Sequence, residues 1–120
     1  MRDALAKSGR GIYYSITKGD PMSYSGLQGS QLANSWRTTI KVRDGWEQVK
    51  ANFLFNNDYS SFAGAGAWND PDLLFIGLNE LTPVEERTHF ALWCLAKAPL
   101  LLSVTLDKLT NSQISLLTNK

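Results

Sequence analysis

Apolar, β-branched or aromatic runs recur along the chain and alternate with segments of helical character. The runs are GIYYSIT (11–17), WRTTIKV (36–42), PDLLFIG (71–77) and APLLLSV (98–104). Each is short, nearly continuous in apolar residues and bounded by turn or cap residues, which predicts buried strands. The order reads α-β-α-β-α-β-α-β-α. Strict alternation with near-continuous apolar strands predicts a parallel sheet whose strands are joined by helical crossovers. An open doubly wound sheet and part of a (β/α)₈ barrel both satisfy it. In either, chemistry gathers beyond the carboxyl ends of the strands. No glycine-rich phosphate loop follows a strand, which argues against nucleotide binding.

The helical segments carry their own punctuation. Residues 1–8 read as a helix end stopped by Gly9. KGDPMSYSGLQGS is a turn-rich loop, and QLANSW is a short helix with Ser30 as N-cap. Asp44 as N-cap, with Glu47 at the capping-box position, opens the helix DGWEQVKANFLFNN. SSFAGAGAW is a small-residue loop. Thr82, then Pro83, then Glu85-Glu86 mark a strong helix start. That helix is expected to place Phe90, Trp93 and Cys94 on one face. TNSQISLLTNK is a last helix capped by Thr110 or Asn111.

Composition narrows the function classes. A length of 120 residues suits one modest domain, with 43% hydrophobic and 19% charged residues. The net charge of +1 and scattered basic residues give no electrostatic case for nucleic acid or an anionic membrane. No stretch is long and apolar enough to span a bilayer. MRDALAKSGR reads as an amphipathic helix end rather than a signal peptide, so localisation is not legible. Cys94 is the only cysteine and is expected to be a buried structural thiol. His89 is the only histidine and is expected to be a surface or packing residue. With no Cys/His cluster, no metal site and no cofactor are implied.

AWNDPDLLF (67–75) sets Asp70 and Asp72 around Pro71, after Trp68-Asn69 and at the edge of an apolar run. Together with SGRGIYYS (8–15), ANSWRTT (33–39), Asp44-x-Trp46 and ALWCLAKAPLLLS (91–103), it resembles glycoside hydrolase family 27, the α-galactosidase (melibiase) and α-N-acetylgalactosaminidase group. The matches run in order over nearly the whole chain. The resemblance implies a partial (β/α)₈ TIM barrel, strands five to eight with their helices. The strand bearing the nucleophile is expected before Met1, and the family's C-terminal β-sandwich is expected to be absent. It implies a retaining hydrolase acting on terminal α-galactosyl groups in carbohydrates, by double displacement between two carboxyl groups roughly 5 Å apart.

The resemblance also assigns residues. Arg37 matches the arginine that hydrogen-bonds the sugar. Asp72 matches a residue lining the sugar pocket, Leu73 an apolar neighbour, and Trp68 a wall of the site. The acid/base position is occupied by Lys41, where the family has aspartate. A lysine has a reference pKa near 10.4 and carries its charge beside a developing oxocarbenium. An inactive relative or sugar-binding remnant is therefore the alternative reading, with Asp44 the nearest acid in sequence. The family's Cys-Glu-Trp-like motif after strand five is missing, so Asp20 and Tyr24 are open between turn chemistry and sugar contact. Asp70 is expected to tie the loop backbone, and a turn without ligand contact remains the competing reading of the motif. Half of a barrel would leave open parallel edges, and self-association through them is expected.

Overall fold

Three short strands in parallel register order the middle of the molecule. The computed structural model describes residues 1–17, 26–39 and 45–119. In chain order its elements are α1 (Arg2–Ala6), β1 (Ser15–Ile16), α2 (Gly26–Leu32), β2 (Ser35–Arg37), α3 (Gly45–Asn57), β3 (Trp68–Asp70), α4 (Pro83–Leu95) and α5 (Asn111–Leu117). The sheet runs β1-β2-β3 and is parallel throughout. Ser15 stands beside Ser35, Trp36 beside Asn69, and Arg37 beside Asp70. A parallel bridge from Leu74 to Leu102 carries the same sense further. This is the parallel α/β unit that the alternation predicts.

Strand alternation sorts the side chains by face. Trp36, Asn69 and Thr38 lie toward the helices. Trp36 packs on Gly29 of α2, where an added Cβ would stand 2.4 Å from the indole Cγ. Ser35, Arg37 and Asp70 lie on the opposite face, where the Ser35 hydroxyl donates to Ser15 Oγ at 2.8 Å.

The core sits to one side, around Val49, Leu74, Phe75, Ile76, Leu81, Trp93 and Ala98, with Phe53, Leu78 and Phe90 packed against it. No residue of α1 is buried. The cap signals of α4 are realised: the Thr82 N–H donates to Glu85 Oε2 at 2.7 Å, and the Glu85 N–H returns to Thr82 Oγ1. In α5 the cap is Thr110, with Gln113 as its reciprocal partner. Each such cap is worth about 1 kcal/mol.

Several expectations are corrected. Ser30 lies inside α2, which starts at Gly26, so it is not an N-cap. The third strand is Trp68–Asp70 rather than 71–77. Pro71 has no N–H, and Asp72 sits at φ 94°, outside the extended region. Residues 98–104 contribute one bridge at Leu102 rather than a strand, while Leu100 and Leu101 face solvent. Cys94 is exposed, because the buried face of α4 is Glu86, His89 and Trp93. His89 is fully buried, as a packing residue and not a surface one. The Asp44 cap falls outside the described residues, although Glu47 does stand in the first turn of α3.

Candidate functional site

The carboxyl ends of β2 and β3 converge on a polar cluster. Arg37 Nη2 donates to Asp72 Oδ1 at 2.5 Å, across 35 residues of sequence. The Asp72 side chain is 1% exposed and that of Arg37 is 18%. A buried carboxylate is costly unless it is paired, and Arg37 supplies an ion pair here. Arg37 Nε is buried and makes no hydrogen bond.

Much of what surrounds the pair fixes backbone. Asp70 Oδ1 accepts from the Asp72 N–H at 2.9 Å, closing the turn over Pro71. Thr38 continues the ladder, its N–H donating to the Asp70 carbonyl at 2.9 Å. The Thr39 hydroxyl (2.8 Å) and Asn52 Nδ2 (3.2 Å) both donate to the Pro71 carbonyl. The Thr38 hydroxyl reaches Asn56 Oδ1 at 2.6 Å, and Gln48 Nε2 donates to Asn52 Oδ1 at 2.8 Å. On the other side Trp93 Nε1 donates to the Asp72 carbonyl at 2.7 Å. The cluster thus takes its members from β2, α3, the 70–72 turn and α4.

Burial raises the Asp70 carboxyl above its ordinary range. The bond from the Asp72 N–H and the Arg37 charge pull it back down, while the Asp72 charge pushes it up. Burial also pushes His89 down to about 4, against the pull of the nearby Leu73 carbonyl. Its Nε2 accepts the Phe75 N–H at 3.1 Å, so the neutral ring carries its proton on Nδ1.

Of the residues singled out in the sequence, Arg37 and Asp72 come together. Leu73 follows Asp72 and is half-buried. Trp68 opens β3 beside Ser35, two residues before Asp70 and on the same face of the sheet. Lys41, Asp20, Tyr24 and Asp44 lie outside the described residues. The reading of Asp70 as a backbone tie matches its bond to Asp72. Sequence reasoning missed Thr38, Thr39, Asn52, Asn56 and Trp93 as supports. Gln48, Asn52 and Asn56 recur at i, i+4, i+8, which reads as a solvated helix face; here that face turns inward and Leu54 faces solvent.

Among the described residues no group of three or more His, Cys, Asp or Glu gathers as metal ligands. A cavity of about 320 Å³ lies between α1, α2 and Gly66, and neither Arg37 nor Asp72 lines it.

The family model described as alpha galactosidase A (melibiase) matches residues 1–120. Alpha-galactosidase 3 of Arabidopsis thaliana is 41% identical over 123 aligned residues, covering 100% of this chain and 27% of the relative. The α-galactosidase of Saccharomyces cerevisiae solved with raffinose superposes with a TM-score of 0.83 at 29% identity, over 97% of this chain and 30% of its own. A family 27 β-L-arabinopyranosidase of Geobacillus stearothermophilus, solved with arabinose, gives a TM-score of 0.87 at 28% identity, over 98% and 31%. The chain therefore spans roughly a third or less of the length of these relatives. It belongs to the melibiases of glycoside hydrolase family 27.

Proposed function

We propose that these 120 residues are strands five to eight, with their helices, of the (β/α)₈ catalytic domain of a retaining α-galactosidase-type hydrolase, and that they supply part of its sugar pocket. The nucleophile-bearing strand and the β-sandwich of such an enzyme are not among them. The observation that carries the reading is the buried Asp72 carboxylate held against Arg37 where parallel strands end.

In this role Asp72 accepts from a sugar hydroxyl and Arg37 donates to one. The unpartnered Arg37 Nε is a donor that a bound hydroxyl would satisfy. Leu73 gives the ring an apolar neighbour, and Trp68, at the start of β3, forms a wall of the pocket. The substrate class is a terminal α-galactosyl group or a pyranoside with the same ring hydroxyls. L-arabinopyranose, bound by one relative, has the D-galactose arrangement without the hydroxymethyl arm.

Double displacement needs an acid/base beside the leaving oxygen, and Lys41 holds that position. Losing general acid–base help costs roughly 10²–10⁴ in rate. Binding without efficient turnover is the expected behaviour of this chain. The inactive-relative reading rests on Lys41 alone, and relatives named as α-galactosidases do not favour it for the family role. Among the described residues β1 and the Leu102 segment are open parallel edges, through which the chain self-associates. Sedimentation of a strict monomer would remove that part of the proposal.

The test is release of 4-nitrophenol from its α-galactoside, with affinity for methyl α-D-galactoside measured alongside. Binding that Asp72→Asn weakens at least tenfold, with turnover near the blank, supports the reading. Indifference of binding to Asp72→Asn contradicts the pocket, and turnover abolished by that change contradicts the role given to Lys41.

A further inference from the structure

Residues 72–77 are strand-like in sequence, but among the described residues they have one bridge, at Leu74. Their remaining backbone groups must find partners elsewhere. One face of α4 partners three of them. Trp93 Nε1 donates to the Asp72 carbonyl at 2.7 Å, His89 Nε2 accepts the Phe75 N–H at 3.1 Å, and Glu86 Oε1 accepts the Gly77 N–H at 2.8 Å. The spacing i, i+3, i+7 puts these side chains on one helical stripe. They engage the segment in antiparallel order, at 77, 75 and 72. All are buried, and the His89 and Trp93 rings meet edge to face at 4.1 Å. Glu86 is itself anchored by Gln113 Nε2 of α5, at 2.9 and 3.1 Å.

The segment they hold begins at Asp72, at φ 94°. A non-glycine residue there is strained and persists only where its surroundings over-determine it. Asp70 fixes the Asp72 N–H from below and Trp93 its carbonyl from above. From that backbone the carboxylate reaches Arg37.

We propose that Glu86, His89 and Trp93 are positioning residues: a splint on α4 that imposes the left-handed backbone at Asp72 and aims its carboxylate at Arg37 and the sugar. None of them touches substrate. The inference rests on the proposed sugar pocket for its functional consequence, but its structural half stands independently.

The test separates the two. In the whole chain, the Arg37 guanidinium protons, held by the pair, give a slowly exchanging NMR signal. Trp93→Phe keeps a six-membered aromatic ring but removes the indole N–H and its five-membered ring from a fully buried site, so folding of the variant is checked first by its amide NMR spectrum. His89→Leu removes the acceptor, and His89→Gln offers a carbonyl in its place. The expected result is loss of the Arg37 signal in Trp93→Phe and His89→Leu, its return in His89→Gln, and a roughly tenfold fall in methyl α-D-galactoside affinity that tracks the signal. A retained signal in folded Trp93→Phe, or no rescue by His89→Gln, overturns the splint. If the wild-type chain binds no galactoside while the signal behaves as expected, the pocket reading fails and the splint stands.

Discussion

Along residues 1–17 only Leu5, Tyr14 and Ile16 are even partly covered, whereas from Asn69 to Ile76 every residue but Leu73 is buried. The two stretches contain runs of similar apolar character, GIYYSIT and PDLLFIG. What separates them is the layer laid over them. Residues 72–77 lie under α4, whose inward stripe bonds their backbone. β1 has β2 on one side, with the Asn34 N–H donating to the Tyr14 carbonyl at 2.8 Å, and its own face stays open. Apolar character makes a segment able to be buried; a helix that can also satisfy its polar groups determines that it is.

The contrast can be broken from its strong end first. Trp93→Ala removes a fully buried ring and the donor to Asp72, and a loss of about 3–5 kcal/mol in denaturant unfolding is expected. Arg37→Met removes the Arg37 charge from the buried Asp72 carboxylate, and roughly 3 kcal/mol should go with it. A loss below about 1 kcal/mol would mean that the pair contributes little.

His89 gives a pH dependence confined to the covered region. Its folded pKa of about 4 lies below the ordinary 6.5, so the unfolded chain binds this proton more readily. The stabilisation is complete above pH 6.5 and is lost as pH falls toward 4, by up to about 3 kcal/mol. Asp70 works in the opposite sense: with its folded pKa raised, protonation on acidification favours the folded state. Melting of wild type against His89→Gln from pH 7 to pH 4 isolates the histidine. The wild-type curve should fall through this window and the variant's should lack that component.

Smaller effects sharpen the other side. Thr82→Ala opens the α4 capping box and should cost about 1 kcal/mol. Tyr13→Ala, at 60% exposure, should stay within about 0.5 kcal/mol. A cost for Tyr13→Ala as large as that for Trp93→Ala would erase the distinction between the two regions.

Local chemistry explains how much was legible in advance. Thr82-Pro83 with Glu85, and Thr110 with Gln113, act within one turn of helix, so their caps could be read directly. The alternation of helices and strands is also a local pattern, and it held through β3, with only the Leu102 bridge where a fourth strand was expected. The third strand shifted because Pro71 and the left-handed Asp72 interrupt an apolar run that hydrophobicity alone would extend. Arg37 and Asp72 stand 35 residues apart; motif resemblance singled out each of them, but their pairing was not legible in the sequence. The inward polar stripes of α3 and α4 were hidden because polar residues on a helix read as solvated. Here they turn in to bond the backbone of residues 71–77, while Leu54, Val84 and Leu95 face out.

The central claim is that the Arg37–Asp72 pair at the strand ends is a galactosyl-binding site. Site-resolved NMR of the labelled chain, titrated with methyl α-D-galactoside and then with its α-D-glucoside, addresses it directly. The account predicts saturable shifts at Arg37, Asp72 and Leu73 with the galactoside, weaker ones with the glucoside, and silence along α1. Shifts confined to the cavity beside α1, or none at Arg37 and Asp72 at any galactoside concentration, would contradict it.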